Sequence, residues 1–376
     1  MGNMSEDVTL RSFGRERRGL PSRPLGASRL TSVVLMALVW LTSAMVGVCL
    51  AQLKTPHRAL VVLNKDASEL AIVDPRTLQV VARVATGPIP HEVAVSADGK
   101  IAVATNYGAH QDGTTLSVID LDAQKELHRF DLTNVIGPNG EEFGDLIGPH
   151  GIQFFNGKFW FTAEGSKKIA RYDPITNKVD WTHEIGQNRT HMLVIASKGA
   201  AIYTSNVNSD SVTALVAVGV SSGKNVYSGW ADNIVIPVGK GPEGIDISPD
   251  GKEVWAANSG DGTVSIIDAA ALKVKATVDV GTKHSNRVKF TPDGKYVLIS
   301  DLGSGELVVM DASARKEVKR LKLGTSTAGI LIVPDGSKAF VAVSGDNKIA
   351  IVDLKTFEVV KTFETGKDPD GMAWRE

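Results

Sequence analysis

Cysteine is almost absent from this chain of 376 residues: Cys49 alone is present, inside an apolar stretch near the N-terminus. The rest of the chain can therefore form no disulfide, offers no thiolate to a metal and holds no cysteine nucleophile. Aromatic residues are scarce at 6%, and charge is nearly balanced, with a formal net charge of −1. From residue 52 onward 35 basic residues face 39 acidic ones. A mildly acidic body lacks the clustered positive charge that phosphate backbones require, and few aromatics leave little to stack on unpaired bases. Nucleic acid is accordingly the least favoured partner. No segment after residue 51 is long and apolar enough to span a bilayer. No phosphate-binding glycine motif occurs in a strand–turn–helix setting, and no Gly-x-Ser-x-Gly elbow is found.

What is present begins with a basic, polar stretch carrying Arg11, Arg15, Arg17, Arg18, Arg23 and Arg29. An uncharged, largely apolar run follows over residues 31–51, and Gln52-Leu53-Lys54 ends it. Basic residues, an apolar core and small residues near a cut site form an export signal, with cleavage expected after Ala51. The run is also long enough to serve as an uncleaved membrane anchor. Either way the expected location of the body is periplasmic or secreted. Residues 52–57 read as a short linker.

From residue 58 the chain repeats itself. The clearest unit opens with Gly241-Pro242-Glu243-Gly244-Ile245-Asp246-Ile247, turns at Pro249-Asp250-Gly251-Lys252, and continues with Val254-Trp255-Ala256-Ala257-Asn258, Thr263-Val264-Ser265-Ile266-Ile267-Asp268 and Val274-Lys275-Ala276-Thr277-Val278. Each piece has strand length and strand periodicity, and Gly, Asp, Asn or Pro breaks it. The aspartate that closes the third strand recurs at Asp74, Asp120, Asp173, Asp268, Asp311 and Asp353, with one degenerate unit around residues 211–218. Seven units of four short strands predict an all-β, seven-bladed β-propeller with four-stranded antiparallel blades. Ala59-Leu60-Val61-Val62-Leu63-Asn64 is a second strand without a first, and Asp368-Pro369-Asp370-Gly371-Met372-Ala373-Trp374 is a first strand without a second. The N- and C-terminal segments are expected to complete one blade between them, leaving no open sheet edge.

Aligning the units places two rings of residues at one mouth of the central channel. The first ring is His91, His150, His191, Glu243, Asn286, Ala328 and Asp370; the second is Asn64, Asn106, Glu164, Asn206, Asn258, Asp301 and Ser344. Three of the chain's eight histidines fall in the first ring, on consecutive blades. Imidazoles beside a carboxylate in a partly enclosed mouth suit a divalent cation, and His91, His150, His191, Glu164 and Glu243 are the candidate metal ligands, for Zn, Cu, Ni or Mg. Equally, histidines at such a place can serve only as hydrogen-bonding structural groups. The recurring Asn residues read as structural, since Asn satisfies turn backbone. Arg189 and Arg287 lie near the mouth, where they can clamp a carboxylate or, as favoured by the nearby acids, pair with neighbours. Extra residues at 133–146 and a loop carrying His110 and Asp112 belong to the same end of the molecule, whereas the insertion at 219–229 falls at the opposite end.

The repeats resemble those of the YVTN β-propeller family of exported proteins over nearly all of residues 58–376. That resemblance implies the fold and an extracytoplasmic life; it is weak for function, because the family includes binding and surface proteins. Blade three, with Gly148-Pro149-His150-Gly151-Ile152, Phe159-Trp160-Phe161-Thr162-Ala163-Glu164 and Lys168-Ile169-Ala170-Arg171, resembles a repeat of streptogramin B (virginiamycin B) lyase. This likeness implies a magnesium site and catalytic roles for His150 and Glu164, with His91 or His191 as a second histidine; the other six blades lack its Trp-Phe-Thr-Glu signature. The expected function is an extracytoplasmic binding protein or scaffold, a monomer holding a metal, small ligand or protein at the mouth. The alternatives are a metal-dependent lyase or lactonase acting on a cyclic ester through His150, Glu164 and His191, and single-stranded nucleic acid binding.

Overall fold

A turn repeated six times sets the spacing of the strands. Asp268 Oδ1 accepts from the amides of Ala270 and Ala271 at 3.0 and 2.8 Å, and four residues on Leu272 adopts a left-handed φ of 53° and donates back to the Asp268 carbonyl at 2.8 Å. The same device follows Asp74, Asp120, Asp173, Asp311 and Asp353, whose carboxylates accept from Arg76, Ala123, Ile175, Ala314 and Lys355 amides. The recurring aspartate thus caps the turn between third and fourth strands, as short polar side chains do.

The computed structural model describes residues 53–221 and 226–376. The proposed export signal or anchor at 1–51 lies outside the described residues, as does part of the 219–229 insertion. Seven antiparallel sheets radiate from the channel. Blade 1 joins Pro369–Arg375, Ala59–Asn64, Glu69–Val73 and Val80–Ala85. Blade 2 is Pro90–Val95, Ile101–Asn106, Thr115–Asp120 and Lys125–Asp131, and blade 3 is Pro149–Phe155, Lys158–Ala163, Lys168–Asp173 and Lys178–Glu184. Blade 4 has Thr190–Ile195, Ala201–Asn206, the long Ser211–Ser221 and Ile234–Pro237, with Val226–Trp230 pairing the far half of the long strand. Blades 5, 6 and 7 begin with Pro242–Ile247, Ser285–Phe290 and Ile330–Ile332. Among the described residues no helix is long and apolar enough to cross a membrane.

The apolar core is divided among the blade interfaces. Seven clusters of buried side chains each join two neighbouring blades; one packs Val103, Leu116 and Val118 of blade 2 on Phe159, Phe161 and Tyr172 of blade 3. The cluster that closes the ring packs Phe340, Ala342 and Ile349 of blade 7 against Leu60 and Val62 of blade 1. Ring closure is by the two termini, with Leu60 opposite Trp374, Val61 opposite Ala373 and Val62 opposite Met372. The mouth Asn residues are structural, as expected: Asn106 Nδ2 donates to Thr115 Oγ1 and Ser117 Oγ at 2.9 and 3.1 Å, and Asn258 and Asn206 do the same in their blades.

Candidate functional site

The innermost strands of blades 2 to 6 each carry a register break near the start of their pairing, between Pro90 and Glu92, Pro149 and Ile152, Thr190 and Leu193, Pro242 and Ile245, and Ser285 and Val288. The first-ring residue sits inside that break in every case. A bulge re-aims a side chain, and here it turns His91, His150, His191, Glu243 and Asn286 into a cavity of about 240 Å³ at the mouth. Among the described residues this cavity is also lined by Lys65, Tyr107, Arg189, His284, Arg287, Leu302, Ala328 and Asp370.

The three first-ring histidines are in contact. His150 Nε2 lies 3.1 Å from His91 Nδ1, and the His150 and His191 rings are 3.9 Å apart at 33°. His191 Nδ1 meets Glu164 Oε1, while Tyr107 donates its phenol to Glu164 Oε2 and the Arg189 Nε lies 3.5 Å from the same oxygen. Both histidines at the centre are buried, at 1% and 3% exposure. Each keeps one ring nitrogen with no hydrogen-bond partner, His150 Nδ1 and His191 Nε2. His150, Glu164 and His191 can offer ligand atoms that all lie within 4.8 Å of one another, a group able to hold a metal ion. His91 and Glu243 line the same cavity but stand outside that trio; Glu243 is engaged by Asn286 Nδ2 at 3.2 Å and His284 Nε2 at 3.4 Å.

Electrostatics disfavours the charged forms of His91 and His150. Burial pushes His91 down to about 3, against the pull of Asp370, and burial together with His191 and His91 holds His150 well below its usual value. Burial and the Glu164 charge push the Tyr107 phenol up, so it remains a donor. Burial works against the ionised Glu243, yet His284, His191 and Asn286 outweigh it and hold the carboxyl at about 2, while Glu243 in turn raises half-exposed His284. An elevated histidine stabilises below its unfolded value near 6.5 and loses that as pH rises through the folded value; a depressed carboxylate stabilises above its unfolded value near 4.5. The pair therefore contributes most between about pH 4.5 and 6.5. In an NMR titration His284 is expected to titrate above 6.5, and Glu243→Gln is expected to bring it down; an unchanged midpoint in the variant would show that the contact does not form in solution.

Below the histidines a buried charged pair crosses the channel. Arg287 Nη2 donates to Glu92 Oε1 across the axis, from blade 6 to blade 2, and lies 3.7 Å from Asp370. Arg287 pairs with acids, as its sequence context favoured. Four other blades carry glycine where Glu92 and Arg287 stand: a Cβ on Gly151, Gly244, Gly329 or Gly371 would come within 2.8 Å or less of the neighbouring innermost strand's backbone. A second cavity of about 190 Å³ lies beyond the pair, lined in part by Gln153, Asp246 and Lys289.

Four mouth residues were not among the sequence candidates. Tyr107 and Lys65 directly follow the second ring, as Leu302 does, so a third ring one residue further along would have found them. His284 stands two residues before the first ring, the position of Arg189. The extra residues at 133–146 form the hairpin Val135–Ile136 and Glu142–Gly144 at the same end of the molecule but, like His110 and Asp112, do not line the cavity.

The seven-bladed propeller is shared with many proteins. Residues 151–337, under half of the chain, match the family model of the cytochrome D1 heme domain. No curated protein matches the chain. Among solved structures, the hydrazine synthase of Kuenenia stuttgartiensis is 19% identical, with 78% of this chain and 92% of that chain covered and a TM-score of 0.64. The periplasmic gluconolactonase of Pseudomonas aeruginosa is 15% identical over 85% of this chain and 99% of that one, with a TM-score of 0.65. At these identities the likeness establishes the propeller fold alone.

Proposed function

We propose that this is an exported YVTN-type propeller, residues 58–376, which works as a binding protein through a divalent cation captured by His150 and His191 at its channel mouth. The observation that carries this reading is the pair of buried, unpartnered nitrogens, His150 Nδ1 and His191 Nε2. In each ring the other nitrogen is anchored, on His91 in one case and Glu164 in the other. Metal-binding histidines have this arrangement, with a carboxylate or other acceptor fixing the tautomer from behind. Leaving such nitrogens buried without a partner costs about 1–3 kcal/mol each, which a bound ion would recover. Glu164 thereby orients His191 and balances the ion's charge. The basic and apolar stretches at 1–51 and the periplasmic solved neighbour support the assignment to an extracytoplasmic compartment.

A haem, which the family match brings to mind, does not fit these residues. The mouth cavity, about 240 Å³, is below the roughly 300–1,000 Å³ that accommodates drug-sized ligands, and the two histidines with free nitrogens, although they line it, are almost wholly buried.

A lactonase reading is favoured by one observation: His191, backed by Glu164 and Tyr107, forms an acid–base set beside a cation, Arg189. The similarity in fold to the periplasmic gluconolactonase of Pseudomonas aeruginosa supports the same reading. In that reading His191 takes a proton from water as it adds to the lactone carbonyl, the ring C–O bond breaks, and the departing alkoxide oxygen receives the proton.

The test is elemental analysis of mature protein, residues 52–376, prepared without a histidine tag, followed by zinc titration against a competing chelator. About one equivalent per chain is expected, lost in His150→Ala/His191→Ala, with affinity lowered about 10- to 100-fold in Glu164→Gln. No uptake by the folded wild-type protein would overturn the metal reading. A pH-stat assay on glucono-1,5-lactone separates the second reading: turnover reduced about 10²- to 10⁴-fold in Glu164→Gln would establish it, and no turnover would exclude it for that lactone.

A further inference from the structure

The position two residues before the first ring adopts a left-handed backbone in five blades: Ile89, Gly148, Arg189, Gly241 and Asp368, with φ between 48° and 66°. Glycine meets this demand freely at Gly148 and Gly241, whereas a long side chain there is strained. Arg189, with φ 57°, is the one of the three non-glycine residues that both lines the mouth cavity and leaves a polar atom unmatched. Its Nε is buried and has no hydrogen-bond partner, and 28% of its side chain remains exposed to the cavity. The cations of the lining all face acids: Arg189 lies 3.5 Å from Glu164, Lys65 is held by Asp368 and Asp370 at 3.4 and 3.2 Å, Arg287 by Glu92, and His284 by Glu243. Strained residues held in place by their surroundings concentrate at ligand sites.

We propose that Arg189 is the anchor for a carboxylate on the ligand, so that the mouth takes a small carboxylic acid. The inference rests on the metal reading above: a dication on His150 and His191 would offset Glu164, releasing the Arg189 fork for a carboxylate, which it grips with two parallel hydrogen bonds. One guanidinium released from Glu164 matches a singly charged carboxylate. A phosphate, nearer −2, would leave charge uncompensated beside Glu164 and Glu243.

The experiment is calorimetric titration of residues 52–376, with and without zinc, using gluconate, inorganic phosphate and uncharged glucose as probes, on wild type, Arg189→Gly and Arg189→Lys. Zinc-loaded wild type is expected to bind gluconate but neither glucose nor phosphate at comparable strength. Arg189→Gly, measured at saturating zinc, is expected to weaken gluconate about 10- to 100-fold. Arg189→Lys, which keeps the charge without the fork, is expected between the two. Equal gluconate affinity in Arg189→Gly, tighter binding of phosphate, equal binding of glucose, or no gluconate binding by zinc-loaded wild type would each overturn the proposal. If zinc does not bind, the metal reading falls by itself, and the zinc-free titration decides Arg189: gluconate binding lost in Arg189→Gly keeps the anchor, and its absence removes it.

Discussion

A chain ending at Gly366 is expected to lose the folded state. The last strand, Pro369–Arg375, is the innermost of blade 1, and without it the edge of Ala59–Asn64 is bare, although every residue of that strand is buried in the complete protein. An unpaired, flat, apolar edge of this kind invites pairing with other chains. The loss extends beyond one hydrogen-bonded ladder: Ala373 also belongs to the cluster between blades 1 and 2, while Met372 and Trp374 pack against the cluster between blades 7 and 1. Deleting the strand thus loosens two of the seven interfaces and the only covalently discontinuous blade. The expected result is insoluble or protease-sensitive protein with no cooperative melt. A synthetic peptide of residues 366–376, added during refolding, should restore solubility by taking the vacant strand position, as in strand complementation. A truncated protein that melts within a few degrees of wild type would show that the ring does not depend on this closure.

The same logic explains why the fold was legible and much of the site was not. Blades announce themselves because local rules repeat: the aspartate turn, the Asp-Gly turn and the alternation of buried residues each recur at a fixed period, so the seven units, the shared blade and the first ring follow from alignment alone. Even the degenerate unit resolved correctly, since Ser211–Ser221 pairs Ala201–Asn206 on one side and Ile234–Pro237 on the other. What alignment cannot show is which side chains meet across the channel. Glu92 and Arg287 are separated by 195 positions and pair only because the ring closes. Glu164 and His191 were named together, but that Glu164 stands behind His191, leaving Nε2 free, depends on Tyr107 and Arg189 filling its other oxygen. Tyr107 carried no signal on its own, since the residue after the second ring is Lys65, Gly165, Val207 or Ser259 elsewhere. Glu243 illustrates the reverse case: its ring position gave it a place in the cavity, while His284, outside both rings, gave it a partner.

Glu92→Ala is expected to destabilise the protein by about 3–5 kcal/mol, the cost of leaving a buried charge without its partner. Arg287 is 4% exposed, and burial alone would disfavour its charge; Glu92 and then Asp370 outweigh that and raise it. With Glu92 truncated, Asp370 at 3.7 Å is the remaining acid, and Lys65 already claims it at 3.2 Å. Arg287→Ala should cost a similar amount by orphaning Glu92. Replacing both by apolar residues of similar volume, Glu92→Leu with Arg287→Met, should be close to neutral, because it removes two desolvated charges together. Guanidinium unfolding of wild type, Glu92→Leu, Arg287→Met and their combination reads the result as a double-mutant cycle. A large positive coupling, with single variants far below wild type and the double variant near it, identifies the pair as a buried plug that fixes the channel floor beneath the histidines. Additive losses in the double variant would mean that the channel is water-filled at this level and the two residues are separately solvated. If the plug holds, apolar replacement of similar volume should leave zinc uptake at His150 and His191 intact, so that stability and metal binding separate in one set of variants.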